Sequence, residues 1–488
     1  MNKLIKIFTL SLILSGFSCD TTISSNSKPL TADFLYSPSN PVPGQSVLFT
    51  DTSVGSPTSW LWDFGDGINS SNQNPSCTYA VAGSYLVTLT VSAGSNSNNA
   101  RKTLTVRYTE VITAASASFV DVSAAVSAAR AGDTVLVPAG SAIWSGYLNV
   151  TKGISIIGAG IANTIITAGS THIFRFSPEA LTRTNQDLFR ISGFTFRGNP
   201  TYVIELAESN SETIPIRNVR IDHNRWENSG GSPLYIDGNF WGVIDGNQFA
   251  GRLNFTILGN QQASWNQFYP VTYGTADNLY FEDNTFEGSS EFGINSGHGG
   301  RWAFRHNTST ASNMANPLFD QHGNQAGGIY ALMVCEIYEN TFSGFTTGVA
   351  RWNYQRGGKL LMYNNTGTSS TGIPNITVND DVDSSAPPIQ WPHDSYFFNN
   401  LWNGSRVNAT EGADVGNRIE ENREFWNQVN NFNGTVGIGV GLLANRPTTC
   451  TTGVAYWATD TKTLYEATAP NTWTPNYIPY TYPHPLRK

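Results

Sequence analysis

Three carboxylates, Asp222, Asp245 and Glu282, each stand two residues ahead of an asparagine (Asn224, Asn247, Asn284), and in later copies the same place holds Arg305, Tyr338, Tyr363 and Phe398. Four residues ahead of the same asparagines stand Arg220, Val243, Tyr280, Ala303, Glu336, Leu361 and Tyr396. Positions two apart on a strand share a face. If the copies stack as strands about 4.8 Å apart, the two series form columns on one exposed sheet. Like charges at that spacing repel, so the three carboxylates are candidates for holding calcium, for raised pKa values, or for acid and base roles. The rings Tyr280, Tyr338, Tyr363, Tyr396 and Phe398 suit stacking on sugar faces. The competing reading is a solvated face with incidental pairs such as Asp222 with Arg220.

The element that positions them is a repeat. The motif runs "VRIDHNRW", "GVIDGNQF", "LYFEDNTF", "WAFRHNTS", "CEIYENTF", "LLMYNNTG" and "SYFFNNLW", at intervals of 23, 37, 23, 33, 25 and 35 residues. A constant strand with loops of varying length fits a solenoid. Three before each asparagine the residue is always bulky and apolar (Ile221, Ile244, Phe281, Phe304, Ile337, Met362, Phe397), so that position points inward. Trp226, Phe249, Phe286, Phe342 and Trp402, two after it, read as the next inward residues. The asparagine itself reads as structural, stacking with its equivalents and bonding backbone at a turn that needs a tolerant φ.

Ahead of the repeat, "DVSAAVSAARAGDTVLVPAG" places Val122, Val126 and Ala129 on one helical face before a strand. This resembles the opening of right-handed parallel β-helices of the pectin-lyase-like kind, in which a short helix caps the first coil. Earlier still, "WDFGDG" at 62–67 followed by "NPSCTYAVAGSYLVTLTV" resembles the PKD domain, an immunoglobulin-like sandwich. The expected fold is therefore all-β: a PKD-like sandwich over 30–108, a right-handed parallel β-helix with a helical cap over 109–443, and a hairpin or cap over 444–488. "GVAYWATDTKTLYEATAPNTWT" and the closing "IPYTYPHPLRK" are expected to pack over the last coils.

Aromatics at 12% with charged residues at only 13% suit a β-rich extracellular protein. The net charge of -8 excludes a nucleic-acid partner that would need phosphates neutralised. Lys3, Lys6 and the apolar run from Ile7 to Leu14 have the layout of a bacterial secretory signal over 1–18, too short to span a bilayer. Cys19 resembles a lipoprotein cleavage site, although Phe17 departs from the usual pattern, and 19–29 reads as a tether. The expected location is secreted or cell-surface, with a membrane reached only through lipid on Cys19. Cys77, Cys335 and Cys450 are scattered and read as buried thiols. No zinc-spaced cluster or phosphate-binding glycine loop is present.

The central block "GRWAFRHNT…FDQHGNQ…CEIYENTF…YQRGGKLLMYNNT" resembles a functionally undefined group of secreted bacterial β-helix proteins. That resemblance implies a shared active region at Arg301, Arg305, Asp320, His322, Glu336 and Arg356 with Gly357 and Gly358. For a uronate-cleaving lyase, Arg305 or Arg356 would neutralise the substrate carboxylate, and His322 or Tyr338 would take the proton. For a hydrolase, Glu336 with Asp320 is the available carboxylate pair. The other class is a noncatalytic glycan-binding protein or adhesin using the same rings. Lys359 reads as an exposed start-of-strand lysine. "SGHGG" at 296–300 resembles the Gly-His-Gly of polygalacturonase-like hydrolases, but the partner motifs are missing or misplaced, leaving a glycine-rich turn with an exposed His298.

Overall fold

The computed structural model describes residues 29–487 except 39, 180–181, 184–185, 209–213, 229, 252, 260–271, 289–290, 324–329, 347–350, 381–389 and 415–417. Cys19 and the signal-like segment lie outside the described residues.

The sandwich and the β-helix are separate compact units. In the sandwich, a three-stranded sheet (Phe34–Ser37, Ser46–Asp51, Ser76–Thr78) faces a four-stranded one that contains Ser59–Asp63 and Gly83–Ala93. Trp62 and Phe64 alternate inward, as the sequence spacing predicts, against Phe34 and Phe49. Gly67 takes φ +90° beside Asp66, whose carboxylate accepts from the Ile68 amide at 2.9 Å.

In the second unit the helix Phe119–Ala128 starts at Ser118, whose hydroxyl accepts from the Asp121 amide, and it buries Val122, Ala125 and Val126. The chain then winds through three sheets of twelve, ten and eleven strands, visiting each once per coil; all pairings are parallel except the last of the eleven, Leu401–Trp402 with Ser405–Arg406. This is a right-handed parallel β-helix, and the right-handed crossover is the one that twisted parallel strands permit. All seven apolar residues three ahead of the asparagines are fully buried between the sheets.

The asparagines form one unbroken ladder. Nδ2 of each donates to Oδ1 of the next from Asn224 to Asn400, at 2.9–3.3 Å. The tolerant φ falls one residue earlier than the sequence reading places it. His223, Gly246, Asp283, His306, Glu339, Asn364 and Asn399 all adopt φ between +52° and +63°, so the asparagine amide is free to bond while its predecessor makes the turn.

From Ile216–Asp222 onward, the strands of the twelve-stranded sheet end at the asparagine turns, and its outer face is covered from Arg220 on. A four-stranded sheet (Ile438–Gly441, Ala455–Ala458, Thr463–Ala469, Thr472–Tyr477) and the segment 478–487 lie over it. The ten-stranded sheet keeps a solvent-facing column along its length. We call these the covered and the open sheet.

Candidate active site on the open sheet

The two outward columns expected to form an exposed groove are at the covered face, and this reverses their functional reading. Tyr280, Tyr338, Tyr363, Tyr396 and Phe398 are at most 2% exposed. Tyr280 stacks on Tyr480, Tyr363 and Phe398 contact Trp457, and Tyr396 stacks on Trp426. The rings that were candidates for gripping sugar instead grip the chain's own C-terminal segment, because their apolar area is better satisfied by other rings than by water.

The carboxylate column is likewise satisfied internally. Asp222 accepts from Arg190 at 2.6 and 2.7 Å and from His223 at 2.8 Å. Asp245 accepts from Arg220 and lies 3.2 Å from Arg487. Glu282 binds Arg305, Arg487 and the His484 amide. Arginines therefore neutralise Asp222, Asp245 and Glu282, the carboxylates that were candidates for holding calcium, and no cluster suited to a metal occurs among the described residues. Burial raises the Asp245 carboxyl despite Arg220, whereas the Asp222 carboxyl is held low: burial opposes it, but the Arg190 and His223 hydrogen bonds prevail.

Arg305 and Glu336 also leave the candidate site. Arg305 is fully buried, and its five donors go to Glu282, the Tyr338 hydroxyl and the carbonyls of Tyr480 and Thr481. Glu336 accepts from the Gly274 amide (2.8 Å), Asn278 (3.1 Å) and the Tyr477 hydroxyl (3.0 Å), with its carboxyl raised by burial. Burial likewise pushes the Tyr338 phenol well up. Glu336 and Asp320 are on different sheets and form no carboxylate pair. Lys359 begins its strand, half-buried, and pairs with Asp394 at 2.7 Å. Cys77, Cys335 and Cys450 are buried free thiols, as read from the sequence.

Asp320, His322 and Arg356 do come together, and on the open sheet. Asp320 and Tyr354 are register partners, which puts His322 beside Arg356 two residues further along. Arg356 donates to Asp320 at 2.8 and 3.1 Å, and its Nη2 lies 2.8 Å from Nδ1 and 2.9 Å from Nε2 of His322. His322 Nε2 lies 3.3 Å from the second oxygen of Asp320. Burial tends to raise the Asp320 carboxyl, but His322 and Arg356 together hold it below its ordinary range. A guanidinium N–H can donate to only one nitrogen of an imidazole ring, the one that carries no proton.

Local sequence explains the placement. A Cβ on Gly297 would sit 3.2 Å from that of His322, so the glycine leaves room beside the ring. A Cβ on Gly357 would sit 2.7 Å from the Ala331 Cβ and the Gln390 carbonyl, so only glycine lets the Arg356 turn lie this close to them.

Residues missed from the sequence complete the surroundings. The open column reads Arg175, Glu205, Tyr235, Thr256, Asn295, Asp320, Tyr354, Thr377 and Thr410 in continuous register, all at least partly exposed. Arg351 stacks on Tyr354 at 4.4 Å, with Arg356 5.2 Å away. His298, half-buried rather than exposed, is near enough for His322 to repel its charged form, and burial and that repulsion lower its pKa. Further along, Tyr147, His172, Tyr202 and Tyr235 form a ring ladder, with Tyr202 and Tyr235 stacked at 4.2 Å. The signal was available: Asn295, Asp320 and Tyr354 each stand two residues before Gly297, His322 and Arg356.

Fold and site together define a right-handed parallel β-helix with a polar, histidine-containing cluster on its open sheet, preceded by a PKD domain. Residues 30–108 match the PKD domain family and belong to it. That segment is similar to the PKD1 domain of the Vibrio cholerae metalloprotease PrtV, at 36% identity over 16% of this chain and 98% of that one, with a TM-score of 0.15. Two β-helix structures are also similar. The family 28 exopolygalacturonase of Yersinia enterocolitica is 11% identical over 85% of this chain and 93% of its own, with a TM-score of 0.35. An alginate lyase from Paenibacillus sp. str. FPU-7 is 13% identical over 63% and 99%, with a TM-score of 0.31. No curated protein sequence matches the chain.

Proposed function

We propose that this is a polysaccharide lyase that cleaves a uronate-containing chain laid along the open sheet. The observation that carries the reading is the Asp320–His322–Arg356 cluster within a solvent-facing column of polar and aromatic side chains. Hydrolysis requires two carboxyl groups flanking the bond, and Asp320, tied to Arg356, is the one carboxylate of the cluster among the described residues. β-Elimination instead requires a base and a cation beside the sugar carboxylate, which His322 and Arg356 supply.

In this reading the substrate carboxylate takes over Arg356 donors, which releases the His322 ring nitrogen they occupied. That nitrogen removes the C5 proton. The C5–H electron pair forms the C4–C5 double bond as the C4–O bond breaks, and the departing oxygen takes a proton from water or a neighbouring acid. Asp320 orients the imidazole and stabilises its charged form. Tyr235, three coils and roughly 14 Å away at about 4.8 Å per coil, and Tyr202, one coil beyond it, would hold a more distant sugar.

We place the protein outside the cell, secreted or held by lipid at Cys19, where the PKD domain serves as a spacer. Incubating the full chain with polyuronates should raise the ultraviolet absorbance of unsaturated ends, and His322→Ala should abolish that rise. A second reading, a glycan-binding surface protein, is favoured by the engagement of Arg356 with both Asp320 and His322. Retention of polyuronates with no rise in absorbance and no new reducing ends would establish it and refute the lyase.

A further inference from the structure

On the covered side, away from the open sheet, a cavity of about 440 Å³ remains where three pieces of chain meet. These are the turn Asp460–Lys462 of the covering sheet, the segment 478–482, and the asparagine turns carrying His306 and Glu339. Its volume lies within the usual range for small-molecule sites, roughly 300–1,000 Å³. Rings form its walls: Tyr338 and Trp457 are buried, and Tyr482 stacks on the His306 imidazole at 3.7 Å.

The polar groups have unused capacity. His306 Nε2 lies 3.2 Å from Glu339, which makes no other ion pair among the described residues. Asp460 uses one oxygen to accept from the Leu443 amide at 2.8 Å, and its other oxygen has no partner among the described residues. Lys462, held at φ +49° in the turn, has no ion-pair partner there either. The Trp457 indole N–H likewise makes no hydrogen bond among the described residues. Burial lowers the His306 pKa, favouring a neutral ring that can both donate and accept.

Two carboxylates and two cations line this cavity, and the Arg305 donors are all taken, so nothing selects a net charge. The part-exposed Tyr482 ring and the exposed Ile478 side chain, beside charged acceptors and a free ammonium, match a ring with C–H faces and hydroxyl edges. We propose that this cavity binds a neutral sugar ring, as a monosaccharide or one unit of a disaccharide, independently of the Asp320–His322–Arg356 cluster.

The test is titration calorimetry of the full chain with glucose, galactose, mannose, N-acetylglucosamine, cellobiose and, as a cationic probe, choline. Saturable binding of at least one sugar is expected. Glu339→Gln and Asp460→Asn should each weaken it roughly tenfold or more, the loss that follows from removing a hydrogen bond to a charged group. Thermal midpoints of both variants should match the parent, since both side chains reach solvent, and His322→Ala should bind the sugar normally. The proposal is overturned if none of the sugars binds saturably, if neither substitution weakens binding, or if choline binds and the sugars do not.

Discussion

At the level of single side chains, environment rather than residue type separates chemistry from structure. Glu336 and His322 both looked reactive in the sequence, yet one is sealed under Tyr477 and the other faces solvent. Glu336→Gln should therefore leave polyuronate cleavage within about twofold of the parent. Glu336→Ala should destabilise the fold by a few kcal/mol, because each buried donor left unpaired costs about 1–3 kcal/mol; a urea titration reads this directly. His484 gives a pH dependence of known sign. Burial, reinforced by Arg305, Arg220 and Arg487, lowers its pKa from 6.5 to about 4. The folded state thus keeps the ring neutral while the unfolded chain takes up a proton near 6.5. Its contribution is complete above pH 6.5 and falls as the pH drops towards 4, by about 3 kcal/mol in total. His484→Gln should flatten that part of the stability profile.

At the level of strands and turns, the asparagine ladder is the constant part, and it was legible because a buried amide that bonds both its own turn and the next coil cannot vary. Asn284 donates to the Ile244 carbonyl and to Asn307 while accepting from Asn247, so Asn284→Ala breaks the ladder on both sides. Loss of about 2–4 kcal/mol, with cleavage retained below the melting range, is the expected result of denaturation and activity measurements on that variant. The inward apolar positions were legible for the same reason, since period-2 alternation fixes one face once the other is known. The outward face could not be read in this way. Alternation distinguishes inside from outside the coil, but it says nothing about whether a later segment will lie over the outside. The open sheet was obscured for a different reason: the coils of 23–37 residues from one asparagine to the next differ in loop length, so no fixed offset carries the register from one sheet to the next.

At the level of the whole molecule, the β-helix depends on its C-terminal residues as a structural part. Arg487 faces Asp245, Glu282 and Asp283, and the Arg220 guanidinium reaches the Leu486 carbonyl. Ending the chain after Tyr477 would strip partners from buried carboxylates, a change that typically costs 3–5 kcal/mol for each broken buried pair. Such a variant should melt lower and bind a hydrophobic dye that the full chain does not, as fluorescence would show. Arg487→Ala alone should lower the melting temperature by a smaller amount.

The same clasp has a temporal meaning. The strand pairings of the coils join neighbours in the winding order, whereas Arg220 waits for a residue 266 positions later. A growing chain can wind coil upon coil as it emerges, but the covered sheet keeps its rings bare and lacks its contacts to Arg487 until residues 478–487 have been made. Closure is then a long-range event with a high loop-entropy cost, slower than the local winding before it. The interval before closure is when this protein is most exposed to misassociation, and refolding experiments should find dye binding lost in a phase later than the gain of β-structure.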